Sequence, residues 1–132
     1  MALWSVDGHS KPGTLQLRLE GAFSLAEMQA FVAAHNAAID DFKDATYRVF
    51  CDIRNMHPLS PEAAALLETA KAYSSAHENF QGSAVLATST IVAMQHRRTS
   101  ISGGVIDTEL ISADEAACWQ HLATIKRQAS SQ

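Results

Sequence analysis

The sequence has few cysteines, few basic residues and no long apolar run, and each shortage excludes a class of protein. Two cysteines in 132 residues cannot build the disulfide framework of a small secreted domain. Ten Lys and Arg against 14 Asp and Glu give a net charge of −4, which argues against nucleic-acid binding. No apolar run is long enough to span a bilayer. We therefore expect a cytoplasmic protein without a membrane span, with Cys51 and Cys118 free and buried.

The remaining composition is typical of one packed globular domain. Hydrophobic residues make up 47% of the chain and charged residues 18%. A length of 132 residues matches the commonest domain size. We predict a single domain over residues 1–132, in which the polar tail 127–132 is frayed.

The order of apolar patterns predicts an α/β fold. Residues 3–6 and 14–20 read as an N-terminal hairpin, and strands at 48–53, 84–88 and 105–111 then alternate with helices. Right-handed crossovers make these last three strands parallel. The prediction is therefore a mixed five-stranded sheet with four helices.

The two kinds of strand pattern predict different positions in the sheet. Leu15, Leu17 and Leu19 alternate with polar residues, which is typical of a strand with one wet face, and we expect an outer strand there. The run Ala-Val-Leu-Ala at 84–87 is apolar on both faces, which predicts an inner strand.

Helix starts are marked by capping residues. Ser24 and Glu27 have the spacing of a capping box, and Ser112 with Glu115 has the same spacing before the last helix. Ser60 precedes Pro61, which suits the first position of a helix because proline lacks the N–H that would be unpaired there. We predict helices that begin at these sites.

Three stretches of the chain resemble one known family. Residues 50–54 (Phe-Cys-Asp-Ile-Arg) are similar to the end of a central strand of STAS domains, and residues 82–87 resemble a later strand. Residues 110–119, with an acidic cap before Ala and Trp, resemble the final strand and helix. In this order they resemble the small stand-alone STAS-like proteins of bacteria. The resemblance implies the STAS fold and a regulatory or binding role.

The resemblance also implies a phosphorylated serine at the start of the second helix, in an Asp-Ser-Ser/Thr-Gly context. This chain has Leu-Ser-Pro-Glu-Ala at 59–63 instead, with Pro61 near the acceptor position. Ser60 is therefore either a helix cap or a displaced phosphoacceptor.

The carboxyl ends of parallel strands are where open α/β sheets bind ligands. A helix start there offers free N–H groups to an anion, and Arg54 could supply the countercharge. In the alternative interpretation the serine or threonine only caps the helix, and Arg54 pairs with a surface carboxylate. The predicted ligand-binding residues are Arg54, Asn55, His57, Thr88, Ser89 and Thr90.

We expect no catalytic residue, no metal and no cofactor. Asp52 has no second group spaced for acid–base chemistry, and Cys51 is a candidate nucleophile only if a base such as His57 lies near it. The six histidines show neither H-x-x-x-H pairs nor zinc spacing.

Our leading hypothesis is a non-catalytic STAS-like module that acts through a protein partner. Ile91, Met94 and Ile101 favour a homodimer that shares the third helix. The basic run 96–98 is either a set of cations stabilised by the dipole near the end of that helix or a docking site for an acidic partner. The alternative is a small-molecule carrier with an anionic or lipid-like ligand at the strand ends, which resembles the CRAL-TRIO domains.

Overall fold

The computed structural model describes residues 2–127, which form a five-stranded sheet with helices on both faces. In chain order the elements are β1 (Leu3–Asp7), β2 (Thr14–Glu20), α1 (Leu25–Asp41), β3 (Tyr47–Asp52), α2 (Pro61–Ser75), β4 (Phe80–Leu86), α3 (Thr90–Gly103), a 3-10 turn (Ile106–Thr108), β5 (Glu109–Ser112) and α4 (Glu115–Thr124). The predicted frayed tail lies outside the described residues except for Arg127. Its guanidinium donates hydrogen bonds to Ser75 O at 2.9 Å and His77 O at 3.0 Å, where α2 ends.

The strands follow one another across the sheet in the order β1-β2-β3-β4-β5. β1 is antiparallel to β2, and the neighbours from β2 to β5 are all parallel. Phe50 of β3 lies beside Ala84 of β4, which lies beside Leu110 of β5. The predicted mixed sheet, with an N-terminal hairpin and parallel later strands, is confirmed.

Two predicted details of the sheet are wrong. β2 is not an outer strand, because it lies between β1 and β3. Its polar residues stay partly exposed because α4, which covers that face of the sheet, packs on β3, β4 and β5. The last strand begins at Glu109 rather than Val105, because the chain first closes a 3-10 turn in which Thr108 N donates to Val105 O.

The core consists of two apolar clusters, one on each face of the sheet. The larger cluster joins the leucines of β2 to residues of α1 and α2. The smaller one places Phe50, Ala84 and Leu86 under Cys118 and Leu122 of α4. Because β3 and β4 contribute to both clusters, their apolar runs are buried on both faces, and the inner position predicted for β4 is confirmed.

Two of the three predicted caps are confirmed. Ser24 Oγ accepts from Glu27 N at 3.1 Å and Glu27 Oε1 accepts from Ser24 N at 2.9 Å, which completes the capping box of α1. Ser60 is the N-cap of α2. The prediction for α4 is wrong, because Asp114 rather than Ser112 caps it and Ser112 is the last residue of β5.

Candidate functional site

Helix α3 packs on the protein with polar residues inward and large apolar residues outward. Its buried residues are Val92, His96, Thr99, Ser100 and Gly103. Its large apolar residues Ile91, Met94 and Ile101 are 68%, 60% and 55% exposed. This is the reverse of an ordinary surface helix, whose apolar stripe faces the core. The outer face of α3 is defined here as Ile91, Met94, Arg97, Arg98 and Ile101.

A groove of about 380 Å³ lies beside the start of α3, at the carboxyl ends of β4 and β5. Its walls include all three predicted residues of the helix start, Thr88, Ser89 and Thr90, together with Met94 and Arg97. Ser89 Oγ accepts a hydrogen bond from Val92 N at 3.3 Å and so caps the helix. The groove is therefore continuous with the outer face of α3, and its basic wall residue is Arg97.

Arg54 does not line this groove and is bound to a neighbouring carboxylate. Its Nε donates to Asp52 Oδ1 at 3.1 Å and its Nη2 donates to Asp52 Oδ2 at 2.8 Å. Burial opposes the charge of Asp52, but the hydrogen bonds from Arg54 outweigh it and lower the pKa of that carboxyl. The pairing matches the surface-carboxylate interpretation of Arg54.

The other two residues of the predicted loop also lie apart from the groove. The loop is tied to the end of β2, because Gly21 N donates to Asn55 O at 2.8 Å and His57 N donates to Gly21 O at 2.9 Å. The side chains of Asn55 and His57 are exposed. The predicted site is thus split between two places, and ligand binding at either one stays a prediction.

Ser60 is exposed at the start of α2. Its Oγ accepts from Ala63 N at 3.2 Å, and Pro61 occupies the first helical position as predicted. The capping interpretation therefore has a hydrogen bond to support it. Phosphorylation of the same hydroxyl stays a prediction.

A buried polar cluster joins α2, α3, β4 and β5. Lys71 Nζ donates to His96 O at 3.1 Å and to Ser100 Oγ. Ser100 Oγ donates to Glu109 Oε1, and Ser83 Oγ donates to Glu109 Oε2 at 3.0 Å. The side chains of Lys71 and Glu109 are only 10% and 2% exposed. These five residues hold the inner face of α3 mainly by hydrogen bonds.

Burial changes the protonation of two groups in this cluster. It lowers the pKa of Lys71 to about 8, against the opposing attraction of Glu109. Burial also lowers the pKa of His96 well below its usual range, and the charge of Lys71 lowers it further. At neutral pH the His96 imidazole is therefore neutral, and most molecules carry a charged Lys71.

The cluster contains the residue types of a catalytic pair without the access that a substrate needs. A lysine beside a serine can activate the hydroxyl as a nucleophile. Ser100, however, has no exposed surface, and its hydroxyl donates to Glu109. Cys51 is also closed to chemistry, because burial raises the pKa of its thiol to about 12. Cys51 and Cys118 are free and buried, as predicted.

Within residues 2–127, no group of three or more His, Cys, Asp or Glu side chains is placed to hold a metal ion. No helix in the same range is long and apolar enough to cross a membrane.

The sequence did not predict that Lys71, Ser83, Ser100 and Glu109 form one cluster. A signal was present on each helix. Lys71 and Ser74 continue the inner stripe of α2, and positions 92, 96, 99 and 103 are spaced along one face of α3. Ile91, Met94 and Ile101 were predicted as a face shared between two chains. Nothing in the sequence indicated that Lys71 and Glu109, distant in the chain, meet the opposite face of α3.

Comparisons with known proteins are informative only at the level of structure. No family model matches the chain, and no curated protein matches it. An uncharacterized protein of the DUF3478 family with a SpoIIAA-like fold, from Shewanella loihica PV-4, has a TM-score of 0.66 and 12% identity, over 92% of this chain and 93% of that one. An anti-sigma factor antagonist from Mycobacterium paratuberculosis has a TM-score of 0.64 and 15% identity, over 94% and 96%.

These likenesses show the fold. The chain has the α/β fold shared by SpoIIAA-like proteins and anti-sigma factor antagonists, and the predicted STAS-like architecture is confirmed over nearly its whole length.

Proposed function

We propose that this chain is a non-catalytic regulatory module that binds a protein partner on the outer face of α3. The observation that carries the proposal is the reversed packing of α3, which exposes three large apolar side chains on one helix. Apolar area that a partner removes from water contributes about 25 cal/mol per Å². A contiguous apolar patch on a surface is typical of an interaction site. A neighbour of the same fold is an anti-sigma factor antagonist, which supports a regulatory role.

The charges of the face favour an acidic partner with apolar side chains. Arg97 and Arg98 are exposed, and α3 contains no Asp or Glu. The whole chain is acidic at a net charge of −4, so this face differs in sign from the average surface. Complementary charges speed association and orient the partner, and we expect binding to weaken at high salt.

The sequence also predicted a second copy of this chain as the partner, in a homodimer formed through the same face. A symmetric pairing of two α3 helices would bring Arg97 and Arg98 of both copies together, and like charges would repel. The charge pattern therefore favours a different protein as the occupant. Light scattering tests this directly, since a monomer mass at micromolar concentration excludes the stable homodimer.

Site-specific photo-crosslinking in the native cells tests the proposal. A crosslinker at Met94 should give discrete adducts, whereas one at exposed Gln29 of α1 should not. The double variant Ile91→Ser/Ile101→Ser should lose the Met94 adducts without unfolding. Leu25→Ser is the matched control, because Leu25 is an exposed apolar residue on another helix. Equal adducts from both positions, or equal loss in the control, would contradict the proposal.

A second candidate function is binding of a small anion or carboxylate in the strand-end groove. The supporting observation is the groove of about 380 Å³ with the capped start of α3 and Arg97 in its walls. In a thermal-shift screen of carboxylates and phosphates, a hit should be weakened by Arg97→Ala and unaffected by Arg54→Ala. The reverse result would show that the anion binds at the Arg54 loop instead.

The cytoplasmic location of the protein stays a prediction from the sequence.

A further inference from the structure

A cavity of about 40 Å³ lies inside the protein, between the sheet and helices α1, α2 and α3. We call it the core cavity. Most of its wall is apolar and includes Leu17, Val49, Leu67, Val85 and Val105. Four members of the buried polar cluster, Lys71, Ser83, His96 and Glu109, also line it. A mainly apolar wall with a few convergent polar groups is typical of a site for a small molecule.

An unpaired buried nitrogen indicates that a hydrogen-bonding group belongs in this cavity. His96 is 3% exposed, and its Nδ1 is buried without a hydrogen-bond partner. A buried polar atom that is left unpaired destabilises the folded protein. The two charges of the cluster need no such partner, because Ser100 Oγ accepts from Lys71 Nζ and donates to Glu109 Oε1. His96 Nδ1 is therefore the atom of the cluster that a bound molecule would satisfy.

The surrounding charges restrict the ligand to a neutral one. Lys71 and Glu109 already compensate each other, and His96 is neutral. An added ion would bring an unpaired charge into the core, which is very costly. A wholly apolar ligand would leave His96 Nδ1 unpaired. A hydroxyl group satisfies the imidazole in either tautomer, because it both donates and accepts.

The volume restricts the ligand to a few heavy atoms. One water needs at least about 10–15 Å³ of accessible cavity volume. The core cavity, at about 40 Å³, accepts a water or a short alcohol and is much smaller than a site for a metabolite. The apolar wall tolerates a methyl group beside the hydroxyl.

We propose that the core cavity is a binding site for one small neutral hydroxyl-bearing molecule, water or a short alcohol, hydrogen-bonded to His96 Nδ1. The ligand supplies the missing hydrogen-bond partner of the buried polar cluster. This site is independent of the outer face of α3, which lies on the opposite side of that helix.

High-resolution crystal structures of the native protein test the proposal in three arms: without additive, soaked in ethanol, and pressurised with xenon. We expect a density peak about 2.7–3.2 Å from His96 Nδ1 in the first arm. Added carbon density in the second arm identifies an alcohol site, and an unchanged peak identifies a water site. Both results support the proposal, and xenon should not displace the peak. An empty cavity, or one filled by xenon in the native protein, would overturn it, because dry apolar cavities bind xenon.

Two variants and a solution measurement test whether binding in the core cavity depends on a polar side chain at position 96 or only on the empty space. His96→Leu should lose the peak and gain xenon, whereas His96→Gln, which keeps a polar group, should retain the peak. If His96→Leu does not fold, the three crystal structures of the native protein still test the proposal. In solution, magnetisation transfer from long-lived bound water or from added ethanol to the His96 ring protons should be present. Its absence for both probes would contradict the proposal.

Discussion

Gly103 of α3 packs directly on Lys71 of α2, so that a Cβ at position 103 would lie 2.6 Å from the Lys71 Cβ. The same Cβ would lie 3.2 Å from Glu68 O. Because the helices approach this closely, the Lys71 ammonium reaches His96 O and Ser100 Oγ on the inner face of α3. Gly103 therefore serves the buried polar cluster by leaving space between the two helices.

Replacing Gly103 with alanine should destabilise the protein although alanine favours helices. The added methyl group would meet backbone and side-chain atoms of α2, and overpacking of this kind costs about 1–3 kcal/mol. Urea denaturation measures the free energy of unfolding. Ser102→Ala, at an exposed position of the same helix, is the control and should change it by less than about 0.5 kcal/mol. An unchanged or raised stability in Gly103→Ala would show that the helices move apart freely.

Lys71 and Glu109 should behave as a coupled pair. Lys71→Met leaves a buried carboxylate without its countercharge, and we expect a loss of about 3–5 kcal/mol. Glu109→Gln in the same chain removes the orphaned charge. It keeps one acceptor oxygen for a serine hydroxyl, and its NH2 can donate to the other hydroxyl, so the double variant should recover most of the loss. A double-mutant cycle of unfolding free energies measures the coupling. Additive effects would mean that the two charges do not interact.

The stability of the protein should rise with pH in two windows. The folded pKa of His96 is depressed from the usual 6.5, so below about pH 6.5 the unfolded chain binds a proton that the folded chain does not, and stability falls on acidification. Burial lowers the pKa of Lys71 from 10.5 to about 8, so the unfolded chain binds more protons between these values and stability rises across that range. Denaturation midpoints across pH measure both effects.

Substitutions show which residue causes the change of stability in each of the two pH ranges. His96→Gln should reduce the loss below about pH 6.5, and Lys71→Met should flatten the alkaline rise. His9→Ala, at an exposed histidine in the β1–β2 loop, is the control and should leave both windows in place. Retention of the acid loss in His96→Gln would assign it to other groups.

The Ser60 hydroxyl should stabilise α2 as a cap. Ser60→Ala removes the acceptor for Ala63 N and should cost about 1 kcal/mol. Ser60→Asp restores a capping acceptor and should recover that stability, which thermal unfolding would show. Stoichiometric phosphate on Ser60 in protein from native cells would show instead that the residue is a phosphoacceptor.

The mixed sheet with its parallel later strands was predictable because period-two and continuous apolar patterns report which faces of a strand are covered. The apolar run of β4 correctly indicated a strand buried on both faces. The leucines of β2 correctly indicated one covered face. They did not indicate an edge, because an interior strand keeps a wet face wherever no helix lies over it.

The candidate site was harder to predict, because distant residues share it. Thr88, Ser89 and Thr90 are adjacent in the sequence, and their place at the start of a helix followed from the strand before them. The basic residue in their groove is Arg97, two turns along α3, whereas Arg54 is held by Asp52 on the strand end that precedes it. Which of the two arginines faces the groove depends on the packing of α3.

The sequence by itself determined the elements of this protein, its STAS-like topology and the caps of α1 and α2, because these depend on local periodicity and on residues three or four positions apart. Only the tertiary structure decided the orientation of α3. The helix turns Ser100 inward because Lys71 and Glu109, distant in the chain, meet its hydroxyl in the core, and Lys71 also donates to the backbone oxygen of His96. Its large apolar residues Ile91, Met94 and Ile101 are left in water as a result, since one helix cannot bury both faces against the same sheet.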